Sequence, residues 1–319
     1  MEVMIQNLIY FIIAGFFLVV SGIYLVKSLE KIARFLGISE FTAAFIIMAV
    51  ATSIPELFVG ISSSIQGNPS LSLGNVIGAS IIDLTLLTGI FVLMAREIKF
   101  KSAKIDKEIY FMWGSIILLV ILYFIGNEIS RIDGVILLSL FGINTYRMIK
   151  KKTKYPSKSK NHKVSKINGI INTLIFIISV LVLILSSKFI VKYSHLIALD
   201  FNIPEIIVGL FLISIATTLP ELIFGINAIK LGHKEMAIGD QSGTVFANIT
   251  LILGIVAIIT PITSAMLPFI VSGVFLILAS SIFVTFIESG RKLDIYEGVS
   301  LIILYLTFIV IQFFLRGFV

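Results

Sequence analysis

The sequence predicts an all-α integral membrane protein whose ten transmembrane helices form two inverted five-helix repeats, with helices 2 and 7 broken. Three observations predict this fold class. The 319-residue chain is 58% hydrophobic and only 13% charged, whereas soluble domains spend about a quarter of their residues on charge. About ten stretches are long and apolar enough to span a bilayer. Two of them carry the same proline-glutamate motif, 165 residues apart.

The predicted spans follow one another along the chain and are separated by short polar segments. A helix needs about 20 mainly apolar residues to cross the hydrocarbon core of a bilayer. The first span has no basic segment before it and is too long for the core of a signal peptide, so we expect it to be retained. The ten spans are 8–26, 41–65, 72–95, 109–126, 132–149, 168–190, 204–229, 236–260, 264–287 and 297–315.

A lysine-rich segment separates the first five spans from the last five. It contains Pro156 and lacks an apolar run, which is typical of a linker. We therefore divide the chain into a first repeat at 1–149, a basic cytoplasmic linker at 150–167 and a second, inverted repeat at 168–319. Because each repeat has an odd number of spans, the second enters the membrane in the opposite sense to the first.

The distribution of Lys and Arg predicts the orientation of these spans. If the N-terminus is outside, 21 basic residues lie on the cytoplasmic side and four lie outside, as the positive-inside rule requires. The net charge of +7 then belongs to solvated cytoplasmic loops and does not indicate nucleic-acid binding. We expect a multi-pass protein of a prokaryotic cell membrane, in contact with the lipid bilayer, whose oligomeric state the sequence leaves open.

An internal repeat relates the two halves of the chain. Without a gap, residues 45–90 match residues 210–255 at 14 of 46 positions. The matches include Thr, Pro, Glu and Gly, which a shared apolar composition does not explain. Inverted repeats are common in secondary transporters, which bind substrate near the membrane midplane where broken helices of the two halves meet.

Each copy of the repeat places a proline and a glutamate in the middle of a span. Pro55 and Pro220 lack an N–H, so the carbonyl four residues earlier loses its helical partner. Glu56 and Glu221 follow them, at a depth where a carboxylate costs about 2.5–3.5 kcal/mol. No Lys or Arg lies mid-span to neutralise them. We therefore expect a cation or proton site here and not a structural salt bridge.

Further oxygen ligands surround the two glutamates in the sequence. The hydroxyls of Thr52, Ser53, Thr217 and Thr218 lie within one helical turn of them. Carboxylates, hydroxyls and carbonyls suit hard ions such as Ca2+, Na+ or H+, and not copper or zinc. The following span adds a second polar position in each copy, at the same 165-residue offset: Asp83 and Asn248.

The span that carries this second position also holds two glycines at GxxxG spacing in each copy. Gly74 and Gly78, and likewise Gly239 and Gly243, are spaced to let helix backbones approach closely in a membrane. We expect them to bring this span towards the broken helices. Asp240 lies in the first turn of its span, on the expected cytoplasmic side, where a favourable interaction with the helix N-terminus is its expected role.

On these residues the chain resembles the cation/Ca2+ exchanger superfamily, and within it the prokaryotic Na+/Ca2+ exchangers. The motifs A-T-S-I-P-E at 51–56, G-N-V-I-G at 74–78 and A-T-T-L-P-E at 216–221 carry the resemblance. It implies alternating access, with one Ca2+ or several Na+ bound between the two glutamate helices. It also implies ligand roles for the carboxylates of Glu56 and Glu221, for backbone and hydroxyl oxygens of Thr52 and Thr217, and, at flanking Na+ sites, for Ser53, Thr218, Ala49 and Ser214.

The chain departs from the pattern of that superfamily at three points. Alanine stands at positions 51 and 216, where glycine is usual. Asp83 and Asn248 are exchanged, because the superfamily usually has Asn in the first copy and Asp in the second. At the flanking sites the superfamily has a serine four residues before each of these two positions. Thr244 keeps a hydroxyl there, whereas Ala79 has none. The stoichiometry of exchange therefore stays open.

The favoured function is secondary active exchange of Ca2+ for Na+, and two other transport functions stay open. Glu56, Glu221 and Asp83 carry −3 when ionised, so one Ca2+ leaves −1 whereas three Na+ leave zero. Exchange of Ca2+ or another divalent ion for H+, with the proton on Asp83, is the main alternative. A cation channel is another. The chain has no cysteine and no HExxH, Ser-His or cofactor motif, so we expect neither enzyme activity nor a cofactor.

Overall fold

A computed structural model describes residues 2–35, 49–100, 103–150 and 166–315 of the chain. Residues 41–48 of the predicted second span and residues 151–165 of the predicted linker lie outside these ranges. The described residues are almost entirely helical. Three helix runs contain a short π-helical turn, in which the backbone hydrogen bonds are one residue longer than in an α-helix.

The elements are numbered here in chain order, with the π-helical turns as π1 to π3. Those of the first half are α1 Glu2–Phe35, α2 Ala49–Thr52, α3 Ile54–Ile65, α4 Pro69–Ile82, π1 Asp83–Leu87, α5 Thr88–Ala95, β1 Glu97–Lys99, α6 Ala103–Gly126 and α7 Arg131–Lys150. Those of the second half are α8 Lys166–Asp200, α9 Glu205–Val208, π2 Gly209–Ile213, α10 Ser214–Thr217, α11 Leu219–Lys230, α12 Lys234–Ala247, π3 Asn248–Ile252, α13 Leu253–Ile259, α14 Met266–Gly290, β2 Lys292–Asp294 and α15 Ile295–Leu315.

Eight stretches of the described helices are long and apolar enough to cross a membrane, so the chain is a helical, multi-pass membrane protein. Of the two other predicted spans, the second is described only from Ala49 onward. The fifth forms α7, which is less apolar because it carries charged residues such as Asp133 and Arg147. The eight stretches are Met4–Ser28, Pro69–Ala95, Glu108–Gly126, Gly169–Asp200, Glu205–Lys230, Lys234–Ile259, Met266–Gly290 and Ile295–Phe314.

Contacts between loops place three polar segments at one end of the molecule. Strands β1 and β2 pair antiparallel, with Ile98 opposite Leu293. Within the described ranges, this small sheet departs from the predicted all-α architecture. Lys234 Nζ donates hydrogen bonds to the carbonyl oxygens of Ala95 at 2.8 Å and Glu97 at 3.1 Å. We call this the basic end, comprising residues 95–99, 230–234 and 291–294.

Other contacts define the opposite end of the molecule. Ile129 and Ile262 form an isolated antiparallel bridge between two loops. At the same end, Ser70 at the start of α4 donates a hydrogen bond to Glu205 at the start of α9, at 2.6 Å. The loops that meet at each end are those that the alternating order of the predicted spans places on one side of the membrane.

Cysteine labelling tests which end is cytoplasmic, because the chain has no cysteine of its own. We expect Lys292→Cys, at the basic end, to react with a membrane-impermeant maleimide only after cells are permeabilised. Thr263→Cys, at the opposite end, should react in intact cells. The side chains of Lys292 and Thr263 are both exposed, so a cysteine at either position is accessible to the reagent. The reverse pattern would contradict the predicted orientation with the N-terminus outside.

Most of the buried apolar side chains in the described residues fall into two cores. The larger one is formed mainly by buried side chains of α4–α6 and α12–α15. The smaller one lies beneath α1 and α8, which pack against each other along their lengths and are joined near one end by the stacked rings of Tyr10 and Tyr193. Large apolar side chains such as Phe16, 63% exposed, cover the outward faces of these helices. Such faces suit contact with lipid acyl chains.

Candidate cation-binding site

The two helices that carry the glutamates are broken in the same way. Helix α2 ends before Ser53 and α3 begins after it, while Thr218 separates α10 from α11 in the second copy. Both residues have ψ close to zero, with φ, ψ of −75°, 1° and −82°, −2°. Pro55 and Pro220 occupy the second position of the following helix, where a missing N–H leaves no hydrogen bond unmade. The predicted interruptions therefore occur at Ser53 and Thr218, two residues before the prolines.

The two breaks lie beside each other beneath α1. A Cβ atom added at Gly22 of α1 would lie 3.1 Å from Pro55 Cγ and 3.2 Å from Pro220 Cγ. One turn of α1 thus covers both prolines. This contact brings the first turns of α3 and α11, each with its glutamate, to the centre of the molecule.

Three carboxylates are fully buried without a hydrogen-bond partner. Glu56, Glu221 and Asp83 are each 0% exposed, and both side-chain oxygens of each lack a partner. Buried ionised carboxylates are costly unless they are paired or bind a cation. The arrangement therefore has the chemistry of a cation site.

Asp83 and Asn248 occupy equivalent positions on the spans that face the broken helices. Each begins a π-helical turn, π1 in the first copy and π3 in the second. Both are 0% exposed, and neither amide atom of Asn248 has a hydrogen-bond partner. Single π-helical turns within α-helices occur frequently at functional sites. No pattern in the sequence predicted them.

Hydroxyl groups link each broken helix to the polar span of the other copy. Thr52 Oγ1 lies 3.3 Å from Thr244 Oγ1, which joins α2 to α12. Thr217 Oγ1 donates a hydrogen bond to Asn75 Oδ1 at 3.0 Å, which joins α10 to α4. All four residues are 0% exposed. The candidate ligands of the two repeats therefore belong to one centre.

Small residues permit the close packing that the GxxxG spacing predicts. A Cβ atom at Gly74 would overlap the carbonyl oxygen of Ile206, and one at Gly78 would overlap that of Leu210. Helix α4 therefore lies directly against the backbone of the run from α9 to α10. The close approach expected at Gly239 and Gly243 stays a prediction.

The predicted ligands of the flanking Na+ sites lie beside the breaks. Ser214 Oγ donates to the Leu210 carbonyl oxygen at 2.5 Å, and Thr218 Oγ1 donates to that of Ser214 at 2.9 Å. Their hydroxyl oxygens keep lone pairs that could bind a cation. Ser53 is 2% exposed, and Ala49 begins α2.

The carboxylates do not form a ready-made metal cage. Among the described residues, no three His, Cys, Asp or Glu side chains are grouped closely enough to hold a metal ion. A bound cation would therefore need hydroxyl, amide or backbone oxygens beside one or two carboxylates. Oxygen sets of this mixed kind are usual for Ca2+.

The sequence predicted no role for Asn75, and it placed Asp240 incorrectly. Asn75 lies within the G-N-V-I-G motif, but its hydrogen bond to Thr217 could not be read from spacing alone. The prediction that Asp240 lies in the first turn of its helix is wrong. Helix α12 begins at Lys234, so Asp240 lies beyond the first turn, and it is 4% exposed with Oδ2 unpartnered.

Comparison with known sequences identifies related proteins. A family model described as sodium/calcium exchanger protein matches residues 6–150 and 171–314. The sodium/calcium exchanger MaX1 of Methanosarcina acetivorans is 26% identical over 348 residues, covering 97% of this chain and 99% of that protein. The inner membrane protein YrbG of Escherichia coli is 27% identical over 260 residues, covering 78% and 79%.

Solved structures with similar folds include two kinds of exchanger. A structure of the sodium-calcium exchanger NCX_Mj, soaked with Na+ and Sr2+, gives a TM-score of 0.69 at 25% identity, over 96% of this chain and 98% of that one. The H+/Ca2+ exchanger CAX gives a TM-score of 0.80 at 16% identity, over 98% and 85%. At that identity the second likeness is one of fold alone.

Proposed function

This chain belongs to the sodium/calcium exchanger protein family, and from that membership we propose that it is a secondary active antiporter exchanging Ca2+ for Na+ by alternating access. The family resemblance drawn from the motifs is thereby confirmed. Exchangers move ions and do not convert them chemically, which agrees with the expectation that the chain is not an enzyme.

One observation carries this proposal. Six carboxylate oxygens, those of Glu56, Glu221 and Asp83, are buried in a membrane protein without a hydrogen-bond partner. A salt bridge does not explain them, because the described ion pairs all lie outside this centre. A bound Ca2+ or Na+ would compensate these charges and coordinate their oxygens.

We extend the proposal to the architecture and to the ligands. Ten crossing helices, arranged as two inverted repeats, would place the breaks at Ser53 and Thr218 near the membrane midplane, as in other inverted-repeat transporters. Glu56 and Glu221 would alternate between Ca2+ and Na+. The remaining ligands would be Asp83, Asn248, Thr52, Thr217 and Thr244 at the centre and Ser53, Thr218, Ala49 and Ser214 at flanking Na+ sites.

Exchange of Ca2+ for H+ is the second candidate function. Asp83 favours it, because a third carboxylate leaves −1 after one Ca2+ has bound unless a proton is also taken up. In either case the same two glutamates would hold Ca2+.

A flux experiment separates the two candidates. We expect Na+-loaded proteoliposomes to accumulate 45-calcium when they are diluted into Na+-free medium at equal pH, because outward Na+ flow drives Ca2+ inward. A pH gradient alone, acidic inside, should drive little uptake. Membrane potential is held at zero with K+ and valinomycin in every arm.

The other results of this experiment have definite meanings. Uptake driven by the pH gradient without Na+ would show that the counter-ion is H+ and not Na+. Asp83→Asn should then remove that uptake. Ca2+ movement that needs no Na+ gradient, no pH gradient and no counter-ion would indicate a channel. Empty liposomes, prepared in the same way, give the background.

A further inference from the structure

A fourth buried carboxylate lies outside the proposed ligand set. Asp240 of α12 is 4% exposed, and its Oδ2 has no hydrogen-bond partner. The amine of Lys234, on the same helix, donates to the carbonyl oxygens of Ala95 and Glu97. The adjacent Gln241 is 0% exposed, and both its amide atoms also lack partners. A bound cation would provide a partner for the unpartnered side-chain oxygens of Asp240 and Gln241.

Helical spacing puts Asp240 in line with the centre already described. Asp240, Thr244 and Asn248 follow one another at intervals of four residues, so they lie on one face of α12 as it runs into π3. Each interval rises about 6 Å, which places Asp240 about 12 Å from Asn248, towards the basic end. Thr244 faces Thr52, one turn before Glu56.

The first copy of the repeat has no carboxylate at this position. The 165-residue offset pairs Asp240 with Asn75, a neutral residue whose Oδ1 accepts a hydrogen bond from Thr217 at 3.0 Å. The same offset pairs Thr244 with Ala79. The face of α12 therefore carries a carboxylate and a hydroxyl where the face of α4 carries a hydrogen-bonded amide and a methyl group. The two halves of the site are not equivalent towards a cation.

We propose that Asp240 is a further cation ligand, which binds Ca2+ or Na+ between the glutamate centre and the basic end of the molecule. This proposal rests on the proposed exchange function. A ligand at Asp240 would give the two faces of the transporter different affinities for the cation. A cation that arrives from the basic end meets Asp240 before the glutamates, whereas one from the opposite end meets Asn75.

Two single substitutions, at Asp240 and at Asn75, test the proposal. Asp240→Asn gives both copies the same neutral residue, and Asn75→Asp gives both the same charge. Ca2+ uptake is measured in right-side-out and inside-out membrane vesicles, with the basic end located by labelling of Lys292→Cys. For Asp240→Asn we expect the KM for Ca2+ at the basic end to rise about tenfold, because one carboxylate attraction is lost. The KM at the opposite end should change less than about twofold.

Controls keep this result interpretable. Glu288→Gln removes an exposed carboxylate near the basic end and should leave both KM values unchanged. Asp240→Glu keeps the charge and should retain most of the affinity. Asn75→Asp should lower the KM at the opposite end. The half-saturating Na+ concentration, measured at each end in the same vesicles, tells whether Asp240 binds Na+, Ca2+ or both.

Two outcomes would overturn the proposal while leaving the exchange function standing. One is an unchanged KM for Ca2+ together with an unchanged half-saturating Na+ concentration in Asp240→Asn, and the other is an equal rise of the KM at both ends. If the wild-type protein shows no exchange at all, the proposed function itself is wrong. Equilibrium binding of 45-calcium to the purified wild-type and Asp240→Asn proteins then decides, and equal binding would remove Asp240 as a ligand.

Discussion

Replacing Glu56 or Glu221 by Gln is expected to reduce Ca2+ transport by about 100-fold or more, because each change removes a buried charge that would face the cation. The two variants should be equally defective. Both glutamates occupy the first turn after an identical helix break, and both are fully buried with unpartnered oxygens. Uptake of 45-calcium into Na+-loaded proteoliposomes measures the loss.

Thermal stability separates a binding defect from misfolding in these variants. Without Ca2+, each Gln variant should be at least as stable as the wild type, since a buried uncompensated charge is gone. Adding Ca2+ should raise the unfolding temperature of the wild type and not that of the variants. Glu288→Gln, an exposed carboxylate, serves as the matched control. Normal transport in either glutamate variant would refute the proposed site.

Gly78→Val is expected to destabilise the folded protein by about 3 kcal/mol or more, because the new side chain cannot be accommodated. A Cβ atom there would overlap the Leu210 carbonyl oxygen and lie 2.8 Å from both Leu210 Cα and Ser214 Oγ. Backbone atoms of π2 cannot move aside as a flexible side chain would. The fraction of monodisperse protein after heating in detergent measures the effect.

A matched substitution makes this prediction specific to the contact. Gly114→Val inserts the same side chain into α6, where nothing lies within 4 Å of the added Cβ, and it should change stability by less than about 1 kcal/mol. Gly78→Ala should be intermediate in stability. It should also weaken Na+ dependence, because its methyl group displaces Ser214 Oγ. Equal stability of Gly78→Val and Gly114→Val would contradict the close packing of α4.

Most of the apolar helices could be predicted from the sequence, and two errors have clear physical causes. The β1–β2 pair was missed because three-residue strands such as Glu97–Lys99 carry no readable alternation and form only when the two loops meet. Asp240 was assigned to a helix N-terminus because its helix was expected to begin at residue 236. The actual start at Lys234 places it beyond the first turn.

The sequence by itself determined the apolar helices, the two breaks and the candidate carboxylates. Hydropathy, the missing N–H of proline and the cost of a mid-span charge are local properties, and a 165-residue repeat can be counted. Tertiary structure decided which side chains meet: Thr52 with Thr244, Thr217 with Asn75, and Gly22 with both prolines. It also decided that π-helical turns begin at Asp83 and Asn248 and that Asp240 is buried. These depend on how separate helices pack, and packing of residues far apart in the chain leaves no periodic signal in either segment.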